Sequence, residues 1–365
     1  MAYLTPLIVP FLVALGAVLV LTPLCARAAR RLGILDRPAA RKIHAKPIPL
    51  MGGAAIALAQ AAGLLAGGVT NREVLTILGG AVLLLGMGLF DDRDPRGVGL
   101  PWWLRLLIQG AAAAVVFEAG VRISVLPVLW LSIPVALLWM IGITNAFNLL
   151  DNMNGLSAGV AAVAGLTLAL LGARYAELGP EQLPTAISAA ALAGACLGFL
   201  PFNFRSRIFM GDAGSLFLGF TLAGLAALGS WRNPSTPAAV GIPLLVLAYP
   251  IFDTTLVVIL RLRRGQSPVV GGRDHSSHRL VHLGLGRVEV VLLIYLFALS
   301  HAFTALLVSS VTFRLSLLAL AGSASVLFIF GMVLRKAPIG PTGAEQAIGL
   351  PGAEKAVGPL AAKRE

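Results

Sequence analysis

Residues 203–219 read NFRSRIFMGDAGSLFLG, and this stretch decides how the rest of the chain is understood. A lone carboxylate, Asp212, sits between Gly211 and Gly214 where a polar turn with Arg205 and Arg207 runs into a strongly apolar segment. The glycines let backbone N–H groups approach a ligand, and the apolar segment reads as a helix whose N-terminus favours phosphate. An acid at the mouth of a membrane span is costly without a partner such as a metal ion. The competing reading is that Asp212 merely caps the next helix.

The surrounding composition makes that apolar segment one of many. The chain has 365 residues, is 58% hydrophobic and only 12% charged, and its mean hydropathy is +0.88. That is the composition of an all-α polytopic membrane protein. Runs long enough to span lie near 3–25, 51–70, 73–90, 102–120, 123–143, 156–172, 185–202, 213–230, 238–260, 288–310 and 315–334. They predict about eleven helices. The first run lacks a basic leader and a small-residue cleavage site, so it reads as a retained span. Cys25 and Cys196 lie in or beside apolar runs and read as buried thiols.

Of the 28 lysines and arginines, 23 fall in one set of alternate loops and 5 in the other. The positive-inside rule then puts the N-terminus outside and the C-terminus in the cytosol. The net charge of +12 is explained by this topology and by anionic ligands, with no aromatic-interleaved basic domain for nucleic acid. Residues 1–335 read as one transmembrane domain, and 336–365, rich in Pro, Gly and Ala, as a disordered cytosolic tail.

Five loops on the basic side hold nearly all the unusual polar residues. The first contains RKIHAKPIPLMGG (41–53), stiffened by two prolines, with Lys42 and His44 among its donors. The second opens GLFDDRDP, where Asp91 and Asp92 follow an apolar helix directly. Adjacent carboxylates repel and suit a site that supplies a cation or a proton, and at a helix C-terminus they oppose the macrodipole. In the third, NAFNLLDNMNGL (145–156), a helical start would bring Asn148, Asp151 and Asn154 to one face. The fourth is the 203–219 stretch. The fifth carries GGRDHSSHRL, with His275, His278 and Arg279 as phosphate donors or metal ligands, against a plain solvated loop. Asp253, in YPIFDTT, lies inside its span, either functional or paired with Arg261 or a nearby hydroxyl. His301 reads as a packing residue. Acids, cations and glycine turns gathered on one membrane face suit Mg²⁺-dependent chemistry at a phosphate, with a lipid as one substrate.

These motifs together resemble the polyprenyl-phosphate N-acetylhexosamine-1-phosphate transferases, over roughly residues 1–335 and through all five loops in order. The resemblance implies transfer of a sugar-1-phosphate from a UDP-N-acetylhexosamine to a polyprenyl phosphate in the cell membrane, with release of UMP at the cytosolic face. It implies Mg²⁺, with Mn²⁺ as a substitute, and a homodimer through lipid-facing helices. By position, Asp212 and Asp151 are the expected metal ligands. Asp91 and Asp92 would position or deprotonate the lipid phosphate, Asp91 being the favoured base, with positioning the larger role because a phosphomonoester is already mostly dianionic at neutral pH. Asn148 and Asn203 would hold the nucleotide end, Phe209 would stack on uracil beside the Gly211 backbone, and Lys42 and His44 would cover the nucleotide mouth. His275, His278 and Arg279 would contact phosphates or the sugar.

The chain departs from the family at two points. Asn154 stands where the family commonly has Asp, which alters the base-recognition contact. The histidine segment is HSSH, not the consecutive histidines of the phospho-MurNAc-pentapeptide branch, which favours UDP-GlcNAc as donor. That branch is the nearer alternative. A secondary transporter using Asp151, Asp212 and Asp253 as a relay is the more distant one, disfavoured because most acids sit at helix ends and no repeat is visible.

Overall fold

The computed structural model describes residues 4–38, 46–94, 99–122, 128–177, 179–229, 237–267, 272 and 274–337. Lys42, His44 and the predicted tail from 338 onward lie outside them.

Among the described residues the structure is predominantly helical. In order it forms α1 (Thr5–Leu32), a two-residue hairpin of β1 (Leu35–Asp36) with β2 (Ile48–Pro49), α2 (Gly52–Ala66), α3 (Arg72–Arg93), α4 (Trp102–Glu118), α5 (Leu129–Leu150), α6 (Leu156–Ala176) and α7 (Leu183–Phe204). There follow α8 (Gly211–Leu228), α9 (Pro237–Val246), α10 (Ala248–Arg263), α11 (Ser276–His282), α12 (Arg287–Val308) and α13 (Phe313–Leu334). The hairpin is antiparallel, with Leu35 opposite Pro49 and Asp36 opposite Ile48.

Every predicted run contains a helix, but not every helix is long enough to span. Among the described residues eight are, and the number is nine if α9 and α10, bent by 75° at their junction, count as one broken span. The run predicted as continuous over 238–260 breaks at Leu247 between Pro243 and Pro250; proline removes a helix donor and crowds the preceding turn. At 15 residues α2 is about 22 Å long, against a hydrocarbon core of about 30 Å. It starts where expected, docked on the start of α8 through Gly52 and Gly53, and stops early at Ala66, where Gly67 and Gly68 close the last turn. The predicted 123–143 span instead runs to Leu150, carrying Asn145 and Asn148 inside the helix.

The centre of the bundle is α8, whose side chains from Ala213 to Ala226 are buried. It packs against α2, α3, α5 and α6. With lipid outside, helices gain little from apolarity alone and associate through close packing of small residues. Gly53 and Gly214 show this: a Cβ on Gly53 would run into the Gly214 backbone, so only glycine lets α2 and α8 cross here. The thiols of Cys25 and Cys196 are free and buried. His301 is buried as well, its Nδ1 2.9 Å from the Phe297 carbonyl and its ring against that phenyl.

Candidate active site

The C-terminal ends of α3, α5 and α7 meet the N-terminus of α8 around a polar cavity of about 350 Å³. Its wall includes Asp36, Asp92, Asp151, Asn154, Phe209 and Asp212. The start of α8 is fixed from the first loop. Phe209 N–H donates to the Pro49 carbonyl (2.9 Å), while the N–H groups of Gly52 and Gly53 donate to the carbonyls of Phe209 (3.0 Å) and Met210 (3.1 Å). PIPLMGG is therefore a docking strip for the turn that carries Asp212. Gly211 takes φ +72°, in the left-handed region that favours glycine, and an added Cβ would meet the Asp92 carboxylate.

Asp212 does not cap its own helix. The cap is Asp92, whose Oδ1 and Oδ2 accept the backbone N–H groups of Asp212 (3.0 Å) and Ala213 (3.2 Å). This answers the macrodipole objection, because Asp92 ends α3 but sits at the positive end of α8. Freed from capping, the Asp212 side chain is 39% exposed to the cavity. Its Oδ1 accepts from Asn148 Nδ2 at 3.0 Å and its Oδ2 from Arg105 at 3.3 Å. Asn148 also donates to Ser215 Oγ (3.0 Å), which locks its amide toward Asp212.

Asp91, expected at the lipid phosphate, is not part of the cavity wall. It is buried, pairs with Arg105 Nε at 3.0 Å and accepts the Leu100 N–H at 2.6 Å. Arg105 thus bridges Asp91 and Asp212. Burial and then the Asp212 carboxylate raise the Asp151 carboxyl to about 7.

Asn148, Asp151 and Asn154 do converge on the cavity, but not on one helix face. Asn148 ends α5, Asp151 is its C-cap, and Asn154 lies in the turn before α6, donating to Ser206 Oγ at 2.7 Å. Asn203 lines the same space, yet both ends of its amide are engaged. Its Oδ1 accepts the Gly155 N–H (2.6 Å) and its Nδ2 donates to the Ile208 carbonyl (3.1 Å). It joins the third and fourth loops.

The histidine segment stands apart from the cavity wall. His275 is buried with Nδ1 2.8 Å from Asp253 Oδ2. Arg279 is fully buried and donates to the carbonyls of Asp274 (2.8 Å), Leu334 (3.2 Å) and Ala337 (3.4 Å). Both were expected at phosphates or sugar, and both instead hold α11 in place. His278 is half-buried on α11 and is not part of the cavity wall. Arg261 pairs with Asp274, not Asp253. Burial pushes the Asp274 carboxyl up, but the Arg261 bonds and charge bring it below its ordinary value.

Sequence reasoning missed Arg105 and Asp36. Arg105 counted only toward topology, and Asp36 belongs to no motif; pairing across the small hairpin brings it to the rim.

No group of three or more His, Cys, Asp or Glu side chains forms a ready metal cage among the described residues. Mg²⁺ does not require one, since it takes one or two carboxylates and fills its octahedron with water and phosphate oxygens. Asp212 and Asp151, two carboxylates that oppose each other's charge across a polar cavity, fit such an ion.

A family model described as Glycosyl transferase family 4 matches residues 74–230. A Bacillus subtilis (strain 168) protein named "Probable undecaprenyl-phosphate N-acetylglucosaminyl 1-phosphate transferase" is 35% identical over 90% of this chain and 91% of its own. A "Decaprenyl-phosphate N-acetylglucosaminephosphotransferase" of Mycobacterium tuberculosis (strain CDC 1551 / Oshkosh) is 34% identical over 76% of each chain. A "Phospho-N-acetylmuramoyl-pentapeptide-transferase" of Synechococcus sp. (strain JA-2-3B'a(2-13)) is 44% identical, but over only 36% of each. By near-full-length similarity the chain belongs to glycosyl transferase family 4, on the side of its polyprenyl-phosphate N-acetylglucosamine-1-phosphate transferases.

Proposed function

We propose that the protein moves N-acetylglucosamine-1-phosphate from UDP-GlcNAc to a polyprenyl phosphate, undecaprenyl phosphate being the expected acceptor, and releases UMP. The observation that carries this reading is the Asp212 carboxylate, held by Asn148 and Arg105 at the mouth of a polar cavity between apolar helices. Near-full-length similarity to polyprenyl-phosphate N-acetylglucosamine-1-phosphate transferases supports the same chemistry.

In the reaction, an oxygen of the lipid phosphate attacks the β-phosphorus of the donor and forms a new P–O bond. The bond from that phosphorus to the α,β-bridging oxygen breaks, and UMP leaves with the bridging oxygen. Asp212 and Asp151 would hold Mg²⁺, or Mn²⁺ in its place, which when bound supplies positive charge to the pyrophosphate. Asn148 orients Asp212. Phe209 and Asn154 face the cavity where a base and ribose would lie, Phe209 by stacking and Asn154 by hydrogen bonding. Arg105 offers the lipid phosphate a cation, with Asp91 fixing its guanidinium and Asp92 fixing the α8 turn.

The topology belongs to the same reading: eleven crossings when the shorter α2 and α4 are counted with the eight long helices and the bent α9–α10 pair, an external N-terminus, a cytosolic C-terminus and an active site on the cytosolic face of the cell membrane. The 23-to-5 distribution of basic residues supports it. The reading also includes a homodimer, for which α13, mostly exposed along its length, would offer a surface.

The test is UMP release by detergent-purified protein from a panel of UDP-sugars, with and without undecaprenyl phosphate and Mg²⁺. Release with UDP-GlcNAc that needs both lipid and metal is the expected result. Release from UDP-MurNAc-pentapeptide alone would replace the donor, and silence with every donor would remove the reading.

A further inference from the structure

The residues that the proposed reaction leaves unused are the buried ones around α11. Asp253 lies within α10 and is 1% exposed, yet neither of its carboxylate oxygens points to the cavity. Oδ2 meets His275 Nδ1 at 2.8 Å, while Oδ1 accepts the Ser276 N–H at 2.7 Å and the Ser276 hydroxyl. The Tyr249 hydroxyl closes the cluster at 2.7 Å from Ser276 Oγ. An intramembrane carboxylate is costly, and this one has both oxygens committed to the N-cap and first residue of a seven-residue helix.

What that helix reaches explains the commitment. Ser277, the next residue, is 1% exposed and donates from Oγ to Asn152 Oδ1 at 2.7 Å. Asn152 belongs to the cavity wall, between Asp151 and Asn154, and its own Nδ2 donates to the Leu149 carbonyl at 2.9 Å. Two sets of hydrogen bonds, joined through the Ser276–Ser277 backbone, therefore tie the span after the 75° bend to the turn that carries Asp151 and Asn154.

The geometry points to Asp253 and Ser277 as positioning residues that set the donor side of the cavity through Asn152. Asp253 fixes α11, and Ser277 fixes the Asp151–Gly155 turn. Neither touches the substrate. The inference rests on the reading of this cavity as the UDP-sugar site, and it gives α11 the task of shaping that site without lining it.

The test compares wild-type, Ser277→Ala, Asp253→Asn and the double variant as full-length protein in detergent. Donor KM, lipid KM and kcat are measured, together with amide hydrogen exchange over residues 151–155 without substrate. Ser277→Ala is expected to raise the donor KM about five- to tenfold, leaving lipid KM and kcat within about twofold, as loss of uniform donor binding requires. Exchange over 151–155 is expected to speed up in both single variants. The double variant is expected to match Asp253→Asn alone, since both lie on one path. Ser277→Ala is a small change at a helical position, so it still gives an answer if Asp253→Asn fails to fold. An unchanged donor KM and exchange rate in Ser277→Ala would overturn the inference, as would equal losses in both KM values and kcat. If the wild-type protein does not use a UDP-sugar, the donor reading falls by itself. Exchange over 151–155 then still decides whether α11 positions the turn.

Discussion

The Asp92 carboxylate accepts the backbone N–H of Asp212 at 3.0 Å, so one acid of the site carries the backbone of the other. Two carboxylates from distant loops would ordinarily repel. Here the first spends its charge on the N-terminus of α8, and the second is left open to the cavity.

Asp92→Ala and Asp92→Asn should therefore differ. The alanine variant loses both N–H acceptors at the helix start and should lose about 1–3 kcal/mol of stability, the cost of leaving charge-assisted donors unmet. The asparagine variant keeps one acceptor oxygen and should melt closer to wild-type while its turnover falls. Equal melting of the two variants would remove Asp92 from the capping role.

Arg105 bridges Asp91 and Asp212. Arg105→Gln should lower kcat at least about tenfold, because it strips the cation from the mouth and leaves buried Asp91 short of its partner. Arg105→Lys should recover part of that loss, since one ammonium serves one carboxylate at a time where the guanidinium fork serves two. UMP release at saturating substrates measures this, and a fully active glutamine variant would contradict it.

Asp151 gives the site a pH dependence. Its carboxyl is raised to about 7 by burial and by Asp212. The metal-free folded state therefore keeps a proton that the unfolded chain has released above its ordinary value. Stability of that form should fall as pH rises from about 4 to about 7 and then level off. A divalent cation binds the charged carboxylate, so the rise in melting temperature on adding Mg²⁺ should be larger at pH 8 than at pH 6. The difference should vanish in Asp151→Asn. An increment independent of pH in wild-type would contradict the pairing of Asp151 with Asp212.

Arg279 looked in the sequence like a phosphate contact, but its guanidinium is buried against the carbonyls of Asp274, Leu334 and Ala337. Arg279→Leu should lower the melting temperature sharply, as loss of a buried hydrogen-bond network does. In the fraction that folds, donor KM should stay within about twofold of wild-type. A folded variant of normal stability with a greatly raised donor KM would restore the phosphate role.

Much of this was legible without coordinates. The acids of GLFDD, NAFNLLD and MGDAG carry a chemical signature because carboxylates beside membrane spans need a reason, and Asp92, Asp151 and Asp212 do meet. Helix existence was equally clear from apolar runs. Helix length was not, because the ends of α2 and the break between α9 and α10 depend on tertiary docking and on Pro243 and Pro250 acting in context. The division of labour among polar residues was also hidden. Nothing in the spacing of Asn148 and Asn203 says that one amide orients Asp212 while the other staples two loops. Arg105 escaped notice because a single arginine at a helix start reads as topology until its partners are seen.

In the proposed reaction the donor's β-phosphorus moves to the lipid with the sugar. The direct measurement uses UDP-GlcNAc labelled with ³²P at the β-phosphate, incubated with purified protein, undecaprenyl phosphate and Mg²⁺, in wild-type and Asp212→Asn forms. Wild-type protein should place label in the lipid fraction and unlabelled UMP in the aqueous fraction, with neither formed by Asp212→Asn. Labelled UDP in the aqueous phase with sugar alone on the lipid, or normal transfer by Asp212→Asn, would contradict it.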